Sequence, residues 1–281
     1  MKFTKMQGLG NDYIYVNQDE EKIDDYSNLS ILLSKRHFAV GADGIITISK
    51  SDKADFFMQI YNADGSKGEM CGNGIRCVGK YVYDNKLTDK THLTVDTLGG
   101  IKILDLNVVD GKVKSVIVDM ENPLTHDGEV LTHDYDINKL THTLNILGND
   151  YEVMDISMGN PHTVIFVDEI TDDLVLKVGK EIESHPYYKN RTNVEFVKVI
   201  DNNTLQMRVY ERGSGETFAC GTGSCATVVA YALKYKVNGL ITVKLLGGDL
   251  KIEWKLDDNH VYMDGPATKV YDGIVDINDL N

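Results

Sequence analysis

The chain has 281 residues, 42% of them hydrophobic and 26% charged, with a formal net charge of −14. That length holds two domains of ordinary size, and no run of 18 apolar residues exists to span a bilayer as a helix. The acid excess argues against a nucleic-acid partner, and the opening Met1-Lys2-Phe3-Thr4-Lys5 lacks the apolar core of a signal peptide. The expected setting is the cytoplasm, with no membrane partner.

The elements repeat. Gly10-Asn11 precedes the strand-like Tyr13-Ile14-Tyr15-Val16, and Gly159-Asn160 precedes Val164-Ile165-Phe166-Val167, an offset of 149 positions. Polar helical segments follow, around Asn28 to Arg36 and around Ile170 to Glu183. Two strands come next in each copy: Gly44 to Ser49 and Ala54 to Tyr61, then Asn193 to Val199 and Thr204 to Tyr210. Cys71 and Cys220, again 149 apart, stand before Gly-x-Gly and open apolar helices, Gly72 to Asp84 and Gly221 to Lys236. Strands around Leu93 to Val95 and Ile101 to Leu104 close the first copy, those around Ile241 to Val243 and Leu250 to Ile252 the second. The second helix is apolar nearly all round, so sheet is expected to wrap it. Asn122 to Asp150 reads as polar connection with some strand content, its histidines His126, His133 and His142 solvated. Register kept over about 90 residues points to duplication rather than to glycine coincidence.

Four cysteines without a secretion signal do not suggest a disulfide framework. Cys71 and Cys77 are six apart and Cys220 and Cys225 five, which suits neither zinc nor a redox Cys-x-x-Cys, and no His-x-x-x-His pair occurs. No metal is expected. A single cysteine before a helix reads as a small buried hydrophobe. Two at equivalent places in duplicated halves read as chemistry. Each would sit among unpaired N–H groups at the positive end of a helix, a setting that favours thiolate. If the halves face each other across a pseudo-two-fold axis, the thiols approach one carbon from opposite sides. That arrangement suits stereochemical inversion, with one group removing a proton and the other delivering one. The helix-start N–H groups would hold a carboxylate and the charge that spreads onto it.

Asn62-Ala63-Asp64-Gly65-Ser66 with Met70-Cys71-Gly72-Asn73-Gly74-Ile75-Arg76-Cys77 resembles the first active-site signature of the diaminopimelate epimerases. Glu211-Arg212-Gly213-x-Gly215-Glu216-Thr217-x-Ala219-Cys220-Gly221-Thr222-Gly223 resembles the second. Gly8-Leu9-Gly10-Asn11-Asp12-Tyr13 and Met158-Gly159-Asn160-Pro161-His162 extend the likeness over almost the whole chain. The resemblance implies an α/β (α+β) fold of two duplicated halves. Each would be a barrel-like, mostly antiparallel or mixed sheet around a central helix, with the active site in the cleft between them. The boundaries expected are 1–117 plus 267–281 for the half carrying Cys71, and 118–266 for the half carrying Cys220, with C-terminal strands returning to the first. The implied reaction converts LL-2,6-diaminopimelate to the meso form without pyridoxal phosphate or metal, for lysine and peptidoglycan precursors, in a homodimer.

Carried over by position, Cys71 and Cys220 are the acid/base groups, and His162 and Glu211 adjust their protonation. Asn11, Asn62, Asn160, Asn193 and Arg212 match substrate contacts, with Glu211 also counted among them. Gly72, Asn73, Gly221 and Thr222 supply helix-start contacts. Amides and one guanidinium suit a substrate with two carboxylates and two ammonium groups. Cys77 and Cys225 read as core, and Asp43 and Asp64 as turn or cap residues. The chain departs from some family members in carrying Gly44 where they place a substrate-contacting glutamine. Proline racemase-like chains carry histidine after the first Cys-Gly and proline before the second cysteine; here those positions are Asn73 and Ala219. A non-catalytic redox sensor with two facing thiols is the alternative from another class.

Overall fold

The computed structural model describes residues 1–280. It forms two compact units, Met1–Val118 together with the segment from Gly265 onward, and Asp119–Asp264. Each is a mixed sheet with helices, and the two share one succession of pairings.

In the first unit, Asn11–Asn17 runs parallel to Gly44–Ser49 and antiparallel to Lys2–Gly8. Gly44–Ser49 pairs antiparallel with Phe56–Asn62, which pairs parallel with His92–Thr97. Gly100–Val109 and Lys112–Asp119 follow as antiparallel neighbours. The other margin is Thr268–Ile274, antiparallel to Lys2–Gly8. In the second unit, Pro161–Phe166 runs parallel to Asn193–Asp201 and antiparallel to Asn149–Ser157. Asn193–Asp201 is antiparallel to Thr204–Glu211, which is parallel to Ile241–Leu245 and leads on to Gly248–Trp254. Thr141–Ile146 takes the place that Thr268–Ile274 holds in the first unit. Even the register repeats: Tyr13 stands opposite Gly44, and His162 opposite Asn193, both pairs shifted by the offset read in the sequence.

Among the described residues, four α-helices accompany the sheets: α1 (Tyr26–Leu33), α2 (Gly72–Asp84), α3 (Gly179–Glu183) and α4 (Gly221–Tyr235). Helix α1 turns Tyr26, Leu29 and Leu33 onto Ile14, Val16 and Ile45, the apolar heart of that face. Val175, Val178 and Ile182, around and within α3, close a second cluster with Ile165, Val194 and Phe196. A wider helical turn, Leu174–Val178, leads into α3. Helix α2 packs on Lys2–Gly8, Asn11–Asn17 and Gly100–Val109. Helix α4 packs on strands from across its own sheet, including Asn149–Ser157 and Gly248–Trp254, and is buried from Gly223 to Leu233. Its all-round apolar character has that cause. It stops at Tyr235, one residue short of the expected end, because Lys236 takes the left-handed conformation (φ 56°) that breaks the helical bonding.

The histidines of the connection are not solvated as expected. His142 stacks on Tyr187 with centroids 4.4 Å apart, and His133 on Trp254 at 3.7 Å. His126 places Nε2 3.2 Å from the His162 carbonyl, and the side chains of His126 and His142 are three-quarters buried beside Asp155. Aromatic stacking and one buried carboxylate draw them in, a long-range effect that local polarity conceals.

Candidate active site

Cys71 is the N-cap of α2. Its backbone is extended, and its sulfur accepts a hydrogen bond from the Gly74 N–H at 3.3 Å. Cys220 caps α4 in the same way, accepting from Gly223 N–H at 3.4 Å. A sulfur in the N-cap role takes one of the orphan donors of the first turn and lies in the positive field of the helix end. Cys71 is part-exposed, Cys220 only 6% exposed.

Around Cys71, the thiol donates to Asn11 Oδ1 at 3.2 Å. The Asn11 amide donates in turn to Asp43 Oδ2 at 2.8 Å, and Asp43 also accepts from the Asp12 N–H and pairs with Arg36. Asp43, read in the sequence as a turn or cap residue, thus holds Asn11 in place. The Tyr13 phenol hydrogen-bonds to both Asn11 and Cys71, and its burial, then the nearby charges of Cys71 and Asp43, raise it well above its ordinary pKa. Asn73 is buried, with Oδ1 accepting from Arg76 at 2.6 Å. The fully buried Arg76 also ties the Gly72 carbonyl and, through Nε, the Pro266 carbonyl to the start of α2. Asn62 donates to Ser66 Oγ at 3.0 Å within the loop before Cys71. A Cβ on Gly44 would come 2.2 Å from the Tyr61 carbonyl, so no longer side chain fits that backbone.

Around Cys220 the chemistry is more heavily charged. His162 and Glu195 are both fully buried, with Nδ1 and Oε1 2.7 Å apart. His162 Nε2 meets Asn160 Oδ1 at 3.1 Å, and the Asn160 amide donates to Thr222 Oγ1 at 3.3 Å. Thr222 Oγ1 lies 3.6 Å from Cys220 Sγ. Asn193 bridges the Pro161 carbonyl and the Arg212 N–H at 2.9 Å each, while the Arg212 guanidinium donates to the Asn190 carbonyl. Glu211 accepts from the Thr217 hydroxyl. Burial, then the carboxylates of Glu211 and Glu195, push the Cys220 thiol well above its ordinary pKa, against the opposing pull of Thr222 and Gly223 N–H. The helix field favours thiolate, but at Cys220 burial and the two acids oppose it and push the thiol pKa up.

Glu195 escaped the sequence reading, although a lone acid in the apolar run Asn193-Val194-Glu195-Phe196-Val197 was its signal. Donor atoms of His162, Glu195 and Cys220 lie within 4.8 Å of one another, close enough to hold an ion. Both imidazole nitrogens already have acceptor partners, so an ion there would have to displace those bonds.

The fold of this chain is shared with solved proteins. A probable proline racemase from Agrobacterium radiobacter matches with a TM-score of 0.72 at 11% identity, over 98% of this chain and 93% of that one. A hydroxyproline epimerase from Agrobacterium vitis matches with a TM-score of 0.70 at 14% identity, over 98% and 90%. At such identities the likeness is one of fold. The diaminopimelate epimerase family model matches residues 3–125 and 154–270. Diaminopimelate epimerases from Agathobacter rectalis and Acetivibrio thermocellus are 52% and 51% identical, over 99% and 100% of this chain and the whole of each relative. The chain belongs to the diaminopimelate epimerase family.

Proposed function

We propose that the chain is an isomerase of lysine biosynthesis that interconverts LL-2,6-diaminopimelate and meso-diaminopimelate with no cofactor, using Cys71 and Cys220 as its two acid/base groups. One sulfur takes the α proton as thiolate while the other, as thiol, returns a proton to the same carbon with inverted configuration. The carbanionic charge spreads to the α carboxylate, which the first-turn N–H groups at Gly72 and Asn73 and at Gly221 and Thr222 hold. His162 and Glu211 set the protonation of the thiols. Asn11, Asn62, Asn160, Asn193, Glu211 and Arg212 hold the ammonium and carboxylate groups. Family membership along the whole chain supports the substrate, and a cysteine in the N-cap position of each equivalent helix carries the reading of the chemistry. The working form is a homodimer in the cytoplasm, a state that sedimentation of the purified protein tests.

The decisive experiment is incubation of meso-diaminopimelate in deuterated water without added cofactor. In early turnover solvent deuterium enters one α position, and Cys71→Ala or Cys220→Ala stops it. Exchange into free proline with diaminopimelate inert would overturn the substrate. Full exchange in both alanine variants would overturn the chemistry.

A further inference from the structure

The strand Asn193–Asp201 is apolar on both faces from Val194 to Val197 apart from one residue, Glu195, which has no exposed surface. A carboxylate placed there is costly unless the site uses its charge. One of its oxygens meets His162 Nδ1 at 2.7 Å; the other, Oε2, is buried without a hydrogen-bond partner. The fold also clears space for it. A Cβ at Gly223 would come 2.5 Å from Glu195 Oε1 and 3.2 Å from Cys220 Sγ, so the glycine of the second Gly-x-Gly leaves the gap in which acid and sulfur approach.

We propose that Glu195 is a positioning residue for Cys220: one oxygen fixes the His162 ring, and the carboxylate beside the sulfur keeps Cys220 the proton-donating thiol of the resting enzyme. The inference rests on the reading of Cys220 as an acid/base group. His162 is bonded at both nitrogens, to Glu195 Oε1 at Nδ1 and to Asn160 Oδ1 at Nε2, so the ring is held from two sides. The groups facing Cys220 are Glu195 and His162 from neighbouring strands, Glu211 from the end of Thr204–Glu211, and Thr222 and the Gly223 N–H from α4 itself. His126 reaches His162 only at its backbone carbonyl. Burial and the two acids raise the Cys220 pKa, the direction the proposal needs.

Glu195→Gln keeps the shape and an acceptor for the ring while removing the charge. The readouts are circular dichroism for the fold, ultraviolet thiolate absorbance across pH, and steady-state kinetics on meso-diaminopimelate. Thiolate absorbance is taken as the difference between proteins with and without Cys220. In Glu195→Gln the Cys220 thiolate should appear at lower pH, with about tenfold more of it at a given pH below the midpoint. Turnover should fall by about tenfold with KM within about threefold, and the alkaline limb of kcat/KM should move to lower pH. A folded Glu195→Gln protein with unchanged thiolate titration overturns the proposal. If that variant does not fold, Gly223→Ala displaces the carboxylate by a different route and must shift the titration in the same direction; an unchanged or raised midpoint overturns the proposal. The titration needs no catalysis, so the two readings fail separately. Full activity in Cys220→Ala would remove the acid/base role, whereas an unmoved titration would remove only Glu195.

Discussion

The surroundings of Cys71 and of Cys220 share a backbone and differ in charge. At the repeat offset, Asn11 corresponds to Asn160, Tyr13 to His162, Ile46 to Glu195 and Asn62 to Glu211. Strand register and N-cap geometry are kept at each pair, but the side chains have diverged. Cys71 is part-exposed, with a neutral phenol and an amide as its hydrogen-bond partners, and the acids Asp12 and Asp43 there are balanced by Lys5 and Arg36. Cys220 is buried with two carboxylates and an imidazole. Duplication fixed where the sulfurs stand on their helices; later substitution decided how readily each holds a proton.

The bluntest way to break the comparison is to remove either sulfur. Cys71→Ala and Cys220→Ala should each lower turnover by about a thousandfold or more, since in the proposed mechanism each deletes one of the two proton carriers. Deuterium exchange into meso-diaminopimelate measures it. If one variant kept turnover near the native rate, the two ends would not be partners in one reaction.

Charge substitutions should separate the ends more finely. Glu211→Gln removes a carboxylate that raises the Cys220 pKa, so the thiol should lose its proton at lower pH. The expected result is a loss of about tenfold to a hundredfold in kcat, with the alkaline limb of the pH–rate profile displaced toward neutrality. Tyr13→Phe at the other end removes only a neutral hydroxyl and should cost less than about tenfold. Equal losses and equal limb shifts in the two variants would erase the electrostatic distinction.

Much of this was legible in the sequence, and the parts that were not have physical reasons. Helix α2 begins and ends where cysteine, glycine and apolar periodicity place it, at Gly72 and Asp84. The strand Gly44–Ser49 likewise matches its reading. The strand Lys2–Gly8 has no local signal, and Thr268–Ile274 is legible only through the family resemblance, because their pairing joins segments far apart in the sequence and the latter buries no face that would give it alternation. Among the candidate site residues, the long signatures carry the cysteines and their helix starts. Glu195 shows in the sequence only as a lone acid in an apolar run, and its partner His162 lies 33 positions earlier and one strand away. Asp43 was passed over for the same reason: only the fold brings it to Asn11.

Gly44 tests the comparison at the level of packing. Its counterpart Asn193 sits at the equivalent register and holds a full side chain, bridging Pro161 and Arg212. At Gly44 the Tyr61 carbonyl occupies the space where a Cβ would go. Gly44→Gln should therefore destabilise by about 3 kcal/mol through strand displacement, read as a fall in the denaturant midpoint. Restored stability with a gain in diaminopimelate affinity would show that the strand can shift to admit the side chain.

The smallest expected effect concerns Cys77, on the buried face of α2. Burial pushes its thiol up to about 11 from an ordinary value of 9.0. A raised pKa in the folded state means that the fold retains a proton the unfolded chain releases. The stabilising contribution is whole below pH 9 and is lost as pH rises from there through about 11. A shift of this size corresponds to about 2 kcal/mol over that window. Urea midpoints should fall across it, and Cys77→Ala, although less stable at neutral pH for the cavity it leaves, should show a flatter decline. Tyr26 and Tyr81, raised by burial to about 12, add a later fall that both proteins share. Parallel pH curves for the native protein and the alanine variant would mean that the buried sulfur of α2 gives up its proton as easily in the fold as out of it.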